Sequence, residues 1–252
     1  MEEQELVLLT NLEKGESYLV KIGRGTEKVR GLGVLDFDRL VSQEFGEIYE
    51  IGSSRFFLSK PTLSQGIDSL ERKAQVINQK DIPLILYHGN VSKAKLVVEG
   101  GAGSGFLSCA LASTIGPGGK IITYEIREDF AKFARRNLDS LDLGEVCEIK
   151  IGDITKGIEE KNVDTVVVDI PNPDGCVEHA YNCLRPGGVF MSYVPNMNQI
   201  EVCVQAMKKA GFSNIATIET LQRNIVVTDG GTRPDFSMLG HTGYITMGHK
   251  IG

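Results

Sequence analysis

One short stretch limits what this chain can become. Glu99-Gly100-Gly101-Ala102-Gly103-Ser104-Gly105 follows the apolar Leu96-Val97-Val98 and runs into a helical pattern over Phe106 to Ile115. Glycine loses more conformational freedom on ordering than any other residue, so a run this dense belongs in neither a strand nor a helix. It suits a tight strand-to-helix turn with positive φ, where backbone can approach a ligand without a Cβ in the way. That is the setting of a nucleotide-binding loop, and it calls for a β-α-β unit around it.

The residues on either side supply one. Lys95 to Glu99, Lys120 to Glu125, Val146 to Ile151, Thr165 to Asp169 and Gly188 to Val194 read as strands. They alternate with helical patterns over Phe106 to Ile115, Arg127 to Leu138, Cys176 to Leu184 and Asn198 to Ala210, and two more strands follow near Ile215 to Leu221 and Tyr244 to Met247. Alternation of this kind predicts an α/β fold with a mostly parallel sheet and helices on both faces. Phe130, Phe133, Ala134 and Leu138 keep one apolar face, as do Ile200, Val204, Met207 and Ala210, which assigns them to the core.

The glycine spacing separates two cofactor classes. A dinucleotide fingerprint that starts at Gly101 and Gly103 needs its third glycine at position 106, which is Phe106; the glycine comes one place early, at Gly105. Acids then fall at the ends of successive strands. Glu125 lies 20 residues beyond Gly105, where a carboxylate can accept hydrogen bonds from the ribose hydroxyls of an adenosine. Asp153 follows the third strand and Asp169 ends the fourth, at the edge of an open parallel sheet where ligands bind.

The first 60 residues read differently. Ser17 to Ile22, Val29 to Leu35, Gly46 to Ile51 and Arg55 to Leu58 are short glycine-punctuated segments that predict a small β domain over residues 1–62. Apolar residues at Leu63, Ile67, Leu70, Ala74 and Ile77 predict a helical linker region, 63–94, leading into a ligand-binding domain over 95–252. The net charge of −6 excludes bulk attraction to phosphate, so a nucleic-acid partner would need a local patch, for which Lys21, Arg24, Lys28 and Arg30 are candidates. Five cysteines, odd in number and mostly in apolar contexts, read as packed thiols of a reducing compartment. No apolar run approaches the roughly 20 residues of a membrane helix, and the acidic Met1-Glu2-Glu3-Gln4-Glu5 is unlike a signal peptide, so a cytoplasmic protein is expected.

Glu99, Gly101, Gly103 and Gly105 together resemble the first motif of class I S-adenosylmethionine-dependent methyltransferases, whose Rossmann-like sheet has seven strands. Three further stretches resemble the tRNA (adenine-N1)-methyltransferases of the T-loop. Gln75-Val76-Ile77-Asn78-Gln79-Lys80-Asp81 lies where that family carries Gln-x-Ile-Tyr-Pro-Lys-Asp, and Asp169-Ile170-Pro171-Asn172-Pro173 resembles its Asp-Leu-Pro-x-Pro. Arg233-Pro234-Asp235-Phe236-Ser237-Met238-Leu239-Gly240-His241-Thr242-Gly243-Tyr244 is similar to its C-terminal signature.

The resemblance implies transfer of methyl from S-adenosylmethionine to N1 of a T-loop adenosine in tRNA, of the position-58 type, by a homotetramer that needs no metal. It implies a cofactor site of Gly101, Gly103, Ser104, Gly105, Phe106, Leu107, Glu125, Asp153 and Asp169, with Asp169 as the catalytic group that holds the adenine amino group and accepts its proton. Asn78, Arg233 and His241 are the implied substrate-binding residues, His241 either touching substrate or bonding within its loop. The chain departs from the family where Asn78 replaces a tyrosine, Gln79 a proline and Asp174 a frequent tryptophan; Tyr87, Phe106, Tyr193 and Tyr244 are candidates to wall the base instead. Two alternatives carry different expectations: a non-catalytic tRNA-binding subunit, or a methyltransferase for another base or small molecule.

Overall fold

The computed structural model describes every residue except Gln4. The chain divides into two compact units, Met1–Leu70 and Glu71–Gly252.

In the first unit, strands β1 (Leu6–Asn11), β2 (Ser17–Lys21), β3 (Thr26–Val29) and β4 (Gly33–Asp36) lead into a short helix α1 (Phe37–Val41), followed by β5 (Ile48–Ile51), β6 (Ser54–Ser59) and α2 (Leu63–Asp68). The sheet order is β2-β1-β6-β5, antiparallel at each pairing, with β3 and β4 forming a separate hairpin. Val7, Leu9, Leu35, Leu40, Tyr49 and Leu58 fill its core, and the Tyr49 hydroxyl donates to the Asp36 carbonyl oxygen at 2.9 Å, so the ring is buried without leaving its polar end unpaired. The stretch Val29 to Leu35, expected as one strand, turns back on itself through Gly31 and Gly33, both at positive φ. Of the candidate basic patch, Arg24 is neutralised by a two-point pairing with Glu3, at 2.6 and 2.8 Å.

The helical spacing from Leu63 to Ile77 is realised only over α2. Thr62 and Gln65 cap its start reciprocally, and the Ser69 hydroxyl takes up the Gly66 carbonyl at its end. Beyond it, Lys73 and Ala74 present their N–H groups to the Ser104 side chain instead of to a helix.

In the second unit, α3 (Ile82–His88), β7 (Leu96–Gly100), α4 (Phe106–Thr114), β8 (Lys120–Glu125), α5 (Glu128–Ser140), β9 (Cys147–Ile151), β10 (Val163–Val168), α6 (Val177–Cys183), β11 (Leu184–Val194), α7 (Met197–Ala210), β12 (Phe212–Ile218), β13 (Ile225–Thr228), β14 (Gly231–Pro234) and β15 (Tyr244–Lys250) follow in turn. Among the described residues seven strands form one sheet in the order β12-β15-β11-β10-β7-β8-β9, parallel except for β15, which runs antiparallel to β11 and β12. The fold expected from the sequence is the one formed. Val98, Ile122, Val166, Val168 and Phe190 pack with residues of α6 and α7 in one cluster. Their neighbours Val97, Ile121, Val167 and Met191, pointing the other way as strand geometry requires, are equally buried.

The first strand of this unit, β7, lies mid-sheet, with β8 on one side and β10 on the other. The chain therefore reverses its direction of travel across the sheet there, and the crevice at the carboxyl ends of β7 and β10 is where an open α/β sheet admits a ligand. All five cysteines are buried free thiols, and burial raises Cys147 to about 12. Among the described residues, no helix is long and apolar enough to cross a membrane.

Candidate active site

The turn after β7 is shaped by contacts that only glycine allows. Gly101 has φ +91°, and a Cβ there would sit 2.5 Å from the Asp169 carbonyl oxygen, so the turn packs directly on the end of β10. Gly103, at φ +51°, has nothing within 4 Å of where its Cβ would be, so this part of the turn faces open space. Its N–H donates to Glu125 Oε2 at 3.1 Å, fastening the turn to the end of β8. The Asp169 N–H donates to the Gly100 carbonyl at 2.9 Å, fastening it to β10 as well.

The structure brings the sequence candidates Gly101, Gly103, Gly105, Glu125, Asp153 and Asp169 to one sheet edge. Glu125 is nearly buried; Oε1 accepts from the Arg127 N–H at 3.0 Å and Oε2 from Gly103, which leaves one lone pair on each oxygen. Asp153 Oδ1 accepts from both the N–H and hydroxyl of Thr155, at 2.9 and 2.6 Å, and the hydroxyl bond holds the carboxyl below its ordinary range. Asp169 is exposed to solvent and has no side-chain partner among the described residues, yet protein surrounds it on most sides and that burial pushes its carboxyl up to about 6. Accessible surface together with many protein neighbours is what a group on the floor of an open cleft shows.

Phe106 and Leu107 are buried at the start of α4, where first-turn N–H groups have no partner within the helix. Ser104 is also buried, but its hydroxyl oxygen is occupied by the N–H groups of Lys73 and Ala74, at 3.0 and 3.1 Å. Beneath the turn, Glu99 is fully buried. Oε2 accepts from the hydroxyls of Ser108 and Thr123, both at 2.6 Å, while Oε1 has no hydrogen-bond partner. Burial first, then the nearby carboxylates of Asp169 and Glu125, raise Glu99 to about 7 despite those two bonds.

The substrate candidates are used differently from one another. Asn78 Oδ1 accepts the Lys80 N–H at 3.1 Å, and the Asn78 carbonyl accepts the N–H of Asp81, so this residue shapes the turn into α3. Arg233 lies on the exposed hairpin β13–β14, with its guanidinium 4.1 Å from the Phe236 ring centre. Gly230-Gly231-Thr232, a glycine-rich run that would suit a loop, forms the turn and first strand residues of that hairpin. His241 has both ring nitrogens engaged, Nδ1 with Glu219 Oε1 at 2.7 Å and Nε2 with the Pro195 carbonyl at 2.8 Å. Both partners are acceptors, so both bonds form together only when the ring is protonated, and the Glu219 bond raises its pKa.

Sequence reasoning missed a buried group beside the cleft. Lys80, Asp81, Tyr193, Thr220 and Thr242 form one hydrogen-bonded set. Tyr193 lies close enough to Asp169 for that carboxylate to help raise its phenol. Lys80 and Asp81 stood inside a motif already singled out, but nothing local in the sequence shows their partners.

Comparison with known proteins gives a consistent set. The family model described as the tRNA methyltransferase complex GCD14 subunit matches residues 57–233. The tRNA (adenine(57)-N(1)/adenine(58)-N(1))-methyltransferase TrmI of Methanocaldococcus jannaschii is 34% identical, over 93% of this chain and 92% of its own length. Among solved structures, the tRNA (m1A58) methyltransferase TrmI of Aquifex aeolicus superposes with a TM-score of 0.77 at 27% identity, covering 100% of this chain and 99% of that one. A SAM-dependent O-methyltransferase of Thermotoga maritima gives a TM-score of 0.86 at 28% identity, covering 100% and 95%.

Proposed function

Because the chain belongs to the tRNA methyltransferase complex GCD14 subunit family, we propose that it uses S-adenosylmethionine to methylate N1 of a T-loop adenosine in tRNA. The residues at the sheet edge fit that cofactor. Gly103 leaves open space where a side chain would be, Glu125 and Asp153 keep acceptor capacity for ribose hydroxyls and an adenine amino group, and Glu99 Oε1 is a buried acceptor lacking a donor. Ile126, 65% exposed immediately after Glu125, offers an apolar wall for a ring. Asp153 and Asp169, neither of them in an ion pair among the described residues, add negative charge at the edge that favours a cation.

When bound, the cofactor supplies a methyl group already activated by sulfonium charge. The protein's part is then to align the acceptor, exclude water and manage one proton. Gly101, Gly103 and Gly105, with the first-turn N–H groups of Phe106 and Leu107, form the backbone cradle; Glu125 and Asp153 orient the nucleoside. Asp169 receives the amino group of the target adenine and accepts the proton it loses as N1 becomes substituted. The target base must leave its stack to reach the cleft, and Tyr193, which follows the Ser192 paired with Val168, is the aromatic assigned to wall it. Arg233 stands on the exposed hairpin as a phosphate contact, Asn78 shapes the rim, and a homotetramer, implied by the family resemblance, completes the reading.

The observation that carries the proposal is Asp169. Its carboxylate is open and unpaired among the described residues, while its main chain is hydrogen-bonded to Gly100, so the acceptor group is tied to the turn that would hold the cofactor. The test is transfer of labelled methyl to unmodified tRNA by the purified chain, with nucleoside analysis of the product. 1-Methyladenosine supports the reading; cofactor binding without transfer to tRNA would refute it. The O-methyltransferase likeness motivates a second reading, methylation of an oxygen acceptor, which the same product analysis separates. No specific cofactor binding at all would favour a non-catalytic RNA-binding subunit.

A further inference from the structure

The group around Asp81 is closed on itself. Lys80 Nζ donates to Asp81 Oδ1 at 2.7 Å, to Thr242 Oγ1 at 2.7 Å and to Thr220 Oγ1 at 3.2 Å, which uses all three of its N–H bonds. Asp81 Oδ1 also accepts from the Thr220 hydroxyl at 2.6 Å; Oδ2 accepts from the hydroxyls of Thr242 at 2.7 Å and Tyr193 at 3.1 Å. Each carboxylate oxygen therefore has two donors, and its acceptor capacity is full. Lys80 and Asp81 side chains are only 7% and 1% exposed. A buried ion pair with every donor and acceptor matched escapes the penalty of unpaired burial and holds one geometry. Burial pushes the Asp81 carboxyl up, but the Lys80, Thr220 and Thr242 bonds outweigh it and leave it below its usual value.

What the pair holds is informative. Thr220 and Thr242 are the two roots of the excursion 221–241, which carries the hairpin β13–β14 and the exposed Leu221, Val227, Phe236 and Leu239. One carboxylate thus closes both ends of an arm with little packing of its own. The third donor is Tyr193, at the end of β11 and beside Asp169. The chain just beyond the Thr242 root is also seated against it, since a Cβ at Gly243 would overlap the Tyr193 ring.

We infer that the buried Lys80–Asp81 pair positions the acceptor side of the cleft: it sets the base of the 221–241 arm and the place of the Tyr193 hydroxyl together, and so governs use of the RNA acceptor separately from cofactor affinity. This rests on the methyl-transfer reading above. Neither residue has capacity left to touch substrate, so both are positioning residues.

Three measurements test it on the full chain: cofactor affinity by calorimetry, kcat and KM for tRNA, and hydrogen exchange of the arm amides. In the variant Thr220→Val/Thr242→Val, which keeps shape but removes both hydroxyls, kcat/KM for tRNA falls at least tenfold. Its cofactor Kd stays within twofold, and arm amides exchange at least tenfold faster. Thr220→Ser/Thr242→Ser restores both properties, and Asp81→Asn, where it folds, matches the valine variant. Unchanged arm exchange and unchanged tRNA kinetics in the valine variant overturn the inference, as does an equal loss of cofactor affinity. If wild type makes no methylated tRNA, the functional reading fails, while the exchange measurement still decides whether the pair closes the arm.

Discussion

Glu99→Gln isolates what the unpaired Oε1 costs the fold. In the folded chain the carboxyl is raised from an ordinary 4.5 to about 7, chiefly by burial. Below pH 4.5 it is neutral in folded and unfolded chains alike and contributes nothing to pH dependence. Between 4.5 and about 7 the unfolded chain gives up the proton while the folded chain keeps it, so stability falls as pH rises. At about 1.4 kcal/mol for each factor of ten in acidity, the full loss above pH 8 is about 3 kcal/mol.

Glutamine keeps the shape, and its oxygen can still accept from Ser108 and Thr123, but it never ionises. Its amide nitrogen would stand unpaired where Oε1 stands, a cost of about 1–3 kcal/mol that is the same at every pH. The clean quantity is therefore the change with pH of the stability difference between variant and wild type. Glu99→Gln should gain about 3 kcal/mol on wild type between pH 4.5 and 8.5. Urea unfolding followed by circular dichroism reads this, because most helical residues lie in the larger unit. Parallel pH curves, differing by less than about 1 kcal/mol in slope over that range, would refute the reasoning that Glu99 is held neutral. If the orphan oxygen is kept for a cationic group of the bound cofactor, the same variant weakens S-adenosylmethionine about tenfold or more, the size of a lost charge-assisted bond.

Three other outcomes follow from the geometry. Asp169→Asn should lower turnover by about 10²–10⁴-fold, the usual worth of a general base, with cofactor affinity kept; in wild type, kcat/KM should fall on the acid side with a midpoint near 6, where the carboxyl takes up its proton. Gly101→Ala places a Cβ 2.5 Å from the Asp169 carbonyl oxygen at φ +91°; the backbone strain alone is about 1–2 kcal/mol, and calorimetry should show loss of cofactor binding. The His241 imidazolium has a raised pKa, so its two bonds to Glu219 and Pro195 are complete below 6.5, and one of them is lost as pH rises through the folded value; the His241 ring proton signals should titrate above 6.5, and His241→Ala should remove the pH dependence of exchange at neighbouring amides.

The large unit was readable because its signals are local. The apolar run into Gly100, the acids closing β8 and β10, and the apolar face of α5 each occupy a few consecutive residues. The misreadings have physical causes. Leu6–Asn11 is buried along nearly its whole length, so it lacks the alternation that marks a half-exposed strand. Ile82–His88 falls inside the helical region expected over 63–94, but its bounds were not legible, because seven residues are too few for periodicity to show. The spacing Leu63 to Ile77 overshoots because Ser104, 31 residues away, offers Lys73 a better acceptor than a helix would.

The C-terminal signature shows how recognising a motif differs from understanding it. Read as a string, His241, Thr242, Gly243 and Tyr244 suggest a substrate loop. In the fold each makes a closure: His241 to Glu219 and Pro195, Thr242 to Asp81, Gly243 flush with the Tyr193 ring, Tyr244 in register with Val194 and packed on His241. Apart from the local His241–Tyr244 ring contact, their partners lie 22 to 161 residues away, beyond any window of periodicity or spacing. Thr242 is the most constrained of them, because its loss leaves the buried Asp81 carboxylate short of a donor. The string therefore marks where the chain closes on itself, while Asp169, whose side chain has no such tie among the described residues, is the group to which the proposed chemistry is assigned.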